Sequence, residues 1–315
     1  MTDTKEKNNT SRFEDSLVSE LAREVLKEQR RNRRWGIFFK LIFAIYIAIF
    51  FAVYVFENFS LSSFGDRKHT ALIEITGVIS ADTEANADFI VTGLRKAYED
   101  KNTEGIILRI NSPGGSPVQA GYVNDEIKRL RIKYPEIPLY AVITDICASG
   151  GYYIAVAADK IYANKASIVG SIGVVLSGFG FVDAIEKLGI ERRLLHSGEH
   201  KALMDPFEPL DFYEEAHMQK LLDKIHQQFI SVVKDGRGDI LIKDEMLFSG
   251  LVWSGEESIN LGLVDALAST SEVARDIIGV EHIVNYTKRE NYFDRVAKQM
   301  SAVMFRNFNH TFLYQ

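Results

Sequence analysis

A single cysteine, Cys147, in 315 residues excludes a disulfide within the chain and any cysteine-based zinc site. There is no Gly-x-x-x-x-Gly-Lys-Ser/Thr phosphate loop, so intrinsic ATP hydrolysis has no support. Positive charge is not in surplus: 37 Lys and Arg stand against 43 Asp and Glu, and a net charge of -6 lacks the basic excess that neutralises a phosphate backbone. Nucleic acid is therefore excluded as a partner. No internal repeat is found. Hydrophobic residues make up 46% and charged residues 25%, and no long segment has the low hydrophobicity and high charge of a disordered region, so most of the chain is expected to fold.

What the sequence does have is one long apolar run. About 22 residues, 35–56, rise roughly 33 Å as a helix, enough for a hydrocarbon core of roughly 30 Å. The charge inside it, Lys40, costs about 2.5–3.5 kcal/mol on insertion scales, whereas roughly fourteen Leu, Ile, Phe and Val residues return about 4–8. A transmembrane helix is predicted, with Lys40 near enough to its end to snorkel. Arg30, Arg31, Arg33 and Arg34 precede it, which by the positive-inside rule keeps residues 1–34 in the cytoplasm and sends the remainder outward. The rival is a cleaved signal peptide, whose apolar region would be only about 7–15 residues with a small-x-small cleavage site. Here the run is longer and ends in Phe56-Glu57-Asn58-Phe59, which favours a retained anchor. Upstream, Phe13, Leu17, Leu21 and Val25 recur as on one helical face; a charged, partly helical tail with no specific partner is the simpler reading.

Residues 57–69 form a short polar linker. Strand-like runs at 71–75, 105–110 and 139–143 then alternate with helical patterns near 87–99 and 118–133, which argues for β-α-β units and a largely parallel sheet. Further strands are expected at 161–163 and 192–195. After Pro209, Met218, Leu221, Leu222, Ile225, Phe229 and Val232 fall at helical spacing as a core-facing stripe. Ser254 followed by Glu257 is a capping-box signature. One domain is expected over 70–280. The tail, 281–315, repeats an amphipathic spacing at Phe293, Val296, Met300, Val303, Met304 and Phe308; it reads as a helix against a neighbouring subunit, a helix on the membrane surface, or a frayed end.

Two strand-to-helix junctions are built from small residues: Asn111-Ser112-Pro113-Gly114-Gly115 and Cys147-Ala148-Ser149-Gly150-Gly151. Glycines there let backbone N–H groups approach a ligand, and a helix start adds a positive dipole end. Taken alone, Ser149 is most simply an N-cap. Paired glycine turns at two strand ends can, however, supply a nucleophile and an oxyanion hole from one crevice. Ser149 then needs a base, and the histidines and lysines are all candidates, since Ser-Lys pairs are a known variant of the triad. A lysine works as a base near neutral pH only when uncharged, which burial favours and a salt bridge opposes. Lys201, in Ser197-Gly198-Glu199-His200-Lys201, would thus require Glu199 to point away from its amine, and a neutral hydroxyl such as Ser171 to orient it. Spacing alone does not single Lys201 out.

The ordered set Asn111-Ser112-Pro113-Gly114-Gly115, Ala148-Ser149-Gly150-Gly151-Tyr152-Tyr153, Gly170-Ser171-Ile172-Gly173-Val174, Gly198-Glu199-His200-Lys201-Ala202 and Leu261-Gly262-Leu263-Val264-Asp265 resembles the SppA family of serine-lysine signal peptide peptidases over about residues 70–270. The resemblance implies an α/β fold of the Clp protease/crotonase type, with repeated β-β-α turns. It makes Ser149 the nucleophile, Lys201 the base, Ser171 the hydroxyl that holds the lysine, and Gly114 with Gly150 the backbone oxyanion donors, with no metal and no cofactor. His200 stands where the family often has Tyr. Short members of that family form homo-oligomeric rings, octamers by resemblance, in which neighbouring protomers supply Ser and Lys. Their substrates are apolar signal peptide remnants at the bacterial cytoplasmic membrane, with the catalytic domain on the outer side.

Three rivals remain. His196-Ser197-Gly198-Glu199-His200 fits His-x-x-Glu-His, a zinc site that needs a helix to present both imidazoles. Cys147 is a second possible nucleophile, or a small buried hydrophobe. An acyl-thioester-binding protein of the crotonase fold, or an inactive scaffold, is the alternative of a different class.

Overall fold

The structure is a computed structural model that describes residues 30, 31, 33–52 and 67–289. It divides into two units, residues 1–67 and 68–315. In the first, helix α1 (Arg33–Ala52) has a mean hydropathy of 2.2 and is long and apolar enough to cross a membrane. Residues 53–56 of the predicted run, the helical face at 13–25 and the amphipathic spacing at 293–308 lie outside the described residues.

The second unit is an eight-stranded sheet with helices on it. Its elements run β1 (His69–Thr76), α2 (Ala87–Glu99), β2 (Thr103–Ser112), α3 (Pro117–Lys133), β3 (Leu139–Ala148), α4 (Gly150–Ala155), β4 (Lys160–Ala163), β5 (Ile168–Gly170), α5 (Val182–Lys187) and α6 (Phe212–Arg237). They continue through β6 (Val252–Ser254), α7 (Gly255–Asn260), β7 (Ala266–Leu267), the one-turn α8 (Thr270–Glu272) leading into a π-helical turn at Val273–Ile278, and β8 (Ile283–Asn285). The order β6-β5-β3-β2-β1-β8 is parallel except for β5 with β6, and β4 joins β3 to β7. β8 pairs with β1, so the sheet reaches beyond residue 280.

The central strands are near-continuous apolar runs because both faces are covered, as expected of parallel sheets. Side chains alternate between faces. Ala71, Ile73, Ile75, Ile106, Leu108, Ile110, Ala141 and Ile143 join the main core under α2, α3 and α4, while Leu72, Ile107 and Val142 meet Tyr162, Val273 and Ala274 on the other side. The helices start where the sequence supplies caps. Asn86 accepts from Phe89 N ahead of α2, Ser116 caps α3 with Pro117 in its first turn, and Ser254 with Glu257 forms the expected capping box of α7.

Two expectations fail. Residues 192–195 form no strand: Leu195 is 99% exposed, and with no neighbouring strand among the described residues to pair with, the segment's backbone groups turn to solvent. The stripe on α6 is buried only at its C-terminal end, where Phe229 and Val233 reach the core, whereas Leu221 is exposed and Met218, Leu222 and Ile225 are half-buried.

Helices α2 and α3 are tied by Glu126, which accepts from Arg129 and from Arg95. Arg129 above all, with Arg95, holds the Glu126 carboxyl down at about 2 against 4.5 for a free glutamate. A depressed carboxylate stabilises the fold above its unfolded value, and that stability drains away as pH falls through the folded one. Wild type should therefore lose stability relative to Glu126→Gln between about pH 4.5 and about pH 2. Urea melts at neutral and acidic pH measure this, and parallel loss in both proteins would refute it. The two arginines are about half exposed, so the effect is modest.

Candidate active site

β2 and β3 run parallel with Ser112 opposite Cys147, which places their carboxyl ends, and hence the two glycine turns, side by side. The approach is close enough to require Gly114: a Cβ there would lie 2.7 Å from Ser149 Cβ and 2.8 Å from Gly150 N, at a φ of +103°. A Cβ on Gly115 would strike Ile79 O at 2.1 Å.

Ser149 joins β3 to α4 at φ 51°, ψ -121°, and its hydroxyl makes no capping bond. Ser116, Ser254 and Ser269 do cap their helices, so the capping explanation holds for them and fails for Ser149. Among the described residues only Ser149, Ser171 and Met204 are non-glycines at positive φ. Such conformations cost about 1–3 kcal/mol each and persist where surrounding structure enforces them. The enforcement is visible: Ser149 N donates to Gly170 O at 2.8 Å, and Ser171 N donates to Leu251 O at 2.7 Å. Both serines open into one cleft of about 750 Å³.

Apolar side chains line that cleft, among them Val118, Val174, Val175, Ile225 and Phe229, with Tyr153 packed on Phe229 at 5.1 Å between ring centroids. Among the described residues no charged residue and no histidine lines it. The titratable group present, the Tyr153 phenol, is pushed up by burial and so stays protonated. His226, beside Ile225 on α6, has Nε2 3.1 Å from Ile172 O; a carbonyl only accepts, so the proton sits on that nitrogen and the imidazole holds the Ser171 turn from behind. Burial likewise pushes the Cys147 thiol up, and the residue is wholly enclosed, which leaves it a core residue. The His196–His200 stretch is a run of turns and not a helix, and His200 bonds Glu214 and stacks on Tyr213.

Lys201 is exposed on those turns and is not among the residues that line the cleft. Among the described residues it makes no ion pair, with Glu199 or any other carboxylate. The structure thus brings Ser149, Ser171, Gly114 and Gly150 together, and leaves Lys201 apart from them within one chain.

The N–H expected from Gly114 is engaged, donating to Ser112 Oγ at 3.1 Å. The next amide is the one left open. Gly115 N lies 3.2 Å from where a Gly150 Cβ would stand, and among the described residues neither Gly115 N–H nor Gly150 N–H has an acceptor. The Gly-Gly doublet announces a close turn, but the sequence cannot show which of its two amides a neighbouring hydroxyl takes.

The profile of peptidase family S49 matches residues 131–279. A putative protease of Synechocystis is 35% identical over 209 residues, 66% of this chain and 73% of that protein. The chain belongs to peptidase family S49. A putative signal peptide peptidase SppA of Enterococcus faecium is 30% identical over 221 residues, 68% of this chain and 64% of that relative. A Brucella abortus protein named as the Na(+)/H(+) antiporter NhaA is 40% identical over 186 residues, 59% of this chain; the S49 chain spans only 25% of its length, and antiport is a property named for that longer protein.

The stretch Leu261-Gly262-Leu263-Val264-Asp265 is held by hydrogen bonds from three other elements. Leu263 O accepts from Tyr152 OH at 2.8 Å, Gly262 O from Arg237 Nε at 2.8 Å, and Asp265 from Ile161 N and Arg237. The Tyr152 bond ties this stretch to α4, three residues past Ser149.

Proposed function

We propose that the chain is a membrane-anchored serine endopeptidase that cleaves apolar peptides through a Ser149–Lys201 dyad shared between neighbouring subunits. One observation carries the reading: a serine hydroxyl that caps nothing, held at positive φ beside two amide N–H groups without acceptors among the described residues, at an apolar cleft. Ser149 Oγ attacks the peptide carbonyl while neutral Lys201 takes its proton and returns it to the leaving amine. The acyl-enzyme that results is resolved by water. Gly150 N–H and Gly115 N–H hold the oxyanion. Gly114, the donor implied by the family resemblance, contributes its close approach to Ser149, and Ser171 orients the lysine amine.

The base comes from outside the cleft's own chain. Among the described residues no charged side chain lines the cleft, and Lys201 stands exposed outside its lining. Val175 at the cleft, with Phe179, Leu195 and Phe212 elsewhere in the segment 175–212, are each at least 80% exposed, apolar surface that a second subunit would bury. A homo-oligomeric ring, an octamer by the family resemblance, satisfies both demands, and the Clp protease/crotonase kinship belongs to the same proposal. Apolar lining suits signal peptide remnants, and an anchor at residues 35–56 ties the chain to the bilayer that holds them. The arginines before the anchor place the N-terminus in the cytoplasm and the catalytic domain outside the bacterial cytoplasmic membrane.

An activated phosphonate tests the nucleophile directly. Mass spectrometry of the labelled full chain should find the adduct on Ser149 and none in Ser149→Ala. An adduct elsewhere, or saturable acyl-CoA binding with no peptide hydrolysis, would overturn the reading in favour of the thioester-binding alternative.

A further inference from the structure

We infer that Ser112 is a positioning residue for the oxyanion hole. The inference rests on the peptidase reading above and concerns the same site. Ser112 is the last residue of β2 and wholly buried. Its hydroxyl does two things at once: it donates to Gly77 O at 2.6 Å and accepts from Gly114 N at 3.1 Å. The first bond ties the turn to the end of β1, and the second draws the Gly114 N–H inward, away from the cleft.

The consequence falls on the next peptide. Gly114 O accepts from Ile79 N at 2.9 Å, and Ser116 N donates to Ile79 O at 2.8 Å. In a planar trans peptide the carbonyl and the following N–H point in opposite directions. With Gly114 O turned onto Ile79, Gly115 N–H faces away from it, on the side where Gly150 lies. These bonds hold three consecutive peptide planes, with the Gly114–Gly115 plane in the middle, and Ser112 supplies the only side chain among them. Without its hydroxyl, Gly114 N–H has no buried partner and the readiest rotation turns that amide toward the cleft. Gly115 N–H is then displaced from the oxyanion position while Ser149, Ser171 and the apolar lining stay as they are. A residue acting in this way lowers kcat and kcat/KM together and leaves KM alone, because a peptide in its ground state makes little use of the hole.

The test compares wild type, Ser112→Ala, Ser112→Thr and Ser149→Ala, all as full chain in detergent, on one apolar fluorogenic peptide. Loss of one oxyanion donor costs about 10²–10³ in kcat, so Ser112→Ala should lose roughly 10²-fold in kcat with KM within about twofold of wild type. Ser112→Thr, which keeps the hydroxyl, should recover most of the loss. A peptide aldehyde, whose adduct with Ser149 carries the oxyanion, should bind Ser112→Ala more weakly by a similar factor, while the matching carboxylate product should bind both proteins equally. Unchanged kcat in Ser112→Ala, a loss that tracks the fraction of protein still labelled by the phosphonate, or equal weakening of aldehyde and product would each overturn the inference while the peptidase reading stands. Hydrolysis that persists in Ser149→Ala, or none in wild type, overturns the reading itself and the inference with it.

Discussion

Mixing Ser149→Ala subunits with Lys201→Ala subunits should restore hydrolysis that neither variant shows alone. Removing the nucleophile of a serine peptidase can cost about 10⁶ in kcat, and removing a general base about 10²–10⁴. Each pure variant should thus be nearly inactive on an apolar peptide. In randomly mixed one-to-one rings built from heterologous, head-to-tail contacts, roughly a quarter of the shared sites combine an intact serine with an intact lysine. Activity near that fraction of wild type is the expected result. A dyad formed within one chain would give no recovery, and verified mixed rings without activity would refute sharing. The expectation follows from the cleft: a serine in an uncharged crevice, and a lysine on exposed turns outside it. In the shared site proposed above, the apolar crevice of a neighbour would surround the lysine amine at its contact with Ser149.

The same arrangement divides what could be read from residues from what could not. The central strands and helices α2 and α3 were legible because long apolar runs and helical spacing are local patterns, and the Ser254–Glu257 capping box fell where expected. The two glycine turns were legible as a pair because parallel neighbours end at the same edge. The strand expected at 192–195 failed for want of a partner, which no local pattern reports; Leu194 and Leu195 carry the apolar signal of a buried segment, yet Leu194 is half-buried and Leu195 is uncovered among the described residues. The exposed first half of α6 tells the same story. In the ring proposed above, these are residues that a neighbouring subunit would cover. The short strands β5 to β8, of two or three residues each, were invisible because their identity lies in what they pair with. At the site, choosing between Gly114 and Gly115 as donor depends on where one buried hydroxyl points.

Arg237→Ala should destabilise the second unit by about 3 kcal/mol, since breaking a buried ion pair from one side typically costs about 3–5. The guanidinium side chain is 3% exposed and donates to Asp265 Oδ2 at 2.9 Å and to Gly262 O at 2.8 Å, while Asp265 is 22% exposed, which places the cost at the lower end. For a domain of this size that corresponds to a fall in Tm of roughly 6–12 °C. The loss should reach the cleft as well, because the last turns of α6 hold Phe229 against Tyr153. Removing both charges separates packing from pairing. Arg237→Met with Asp265→Leu should regain part of the lost Tm, as apolar replacements of buried pairs often do. The recovery is capped, however, because Asp265 Oδ2 also accepts from Ile161 N at 2.7 Å, and that β4 amide loses its partner in the double variant. A Tm change of only one or two degrees in Arg237→Ala would mean that water screens the pair, and that the Leu261–Asp265 motif serves something other than anchoring.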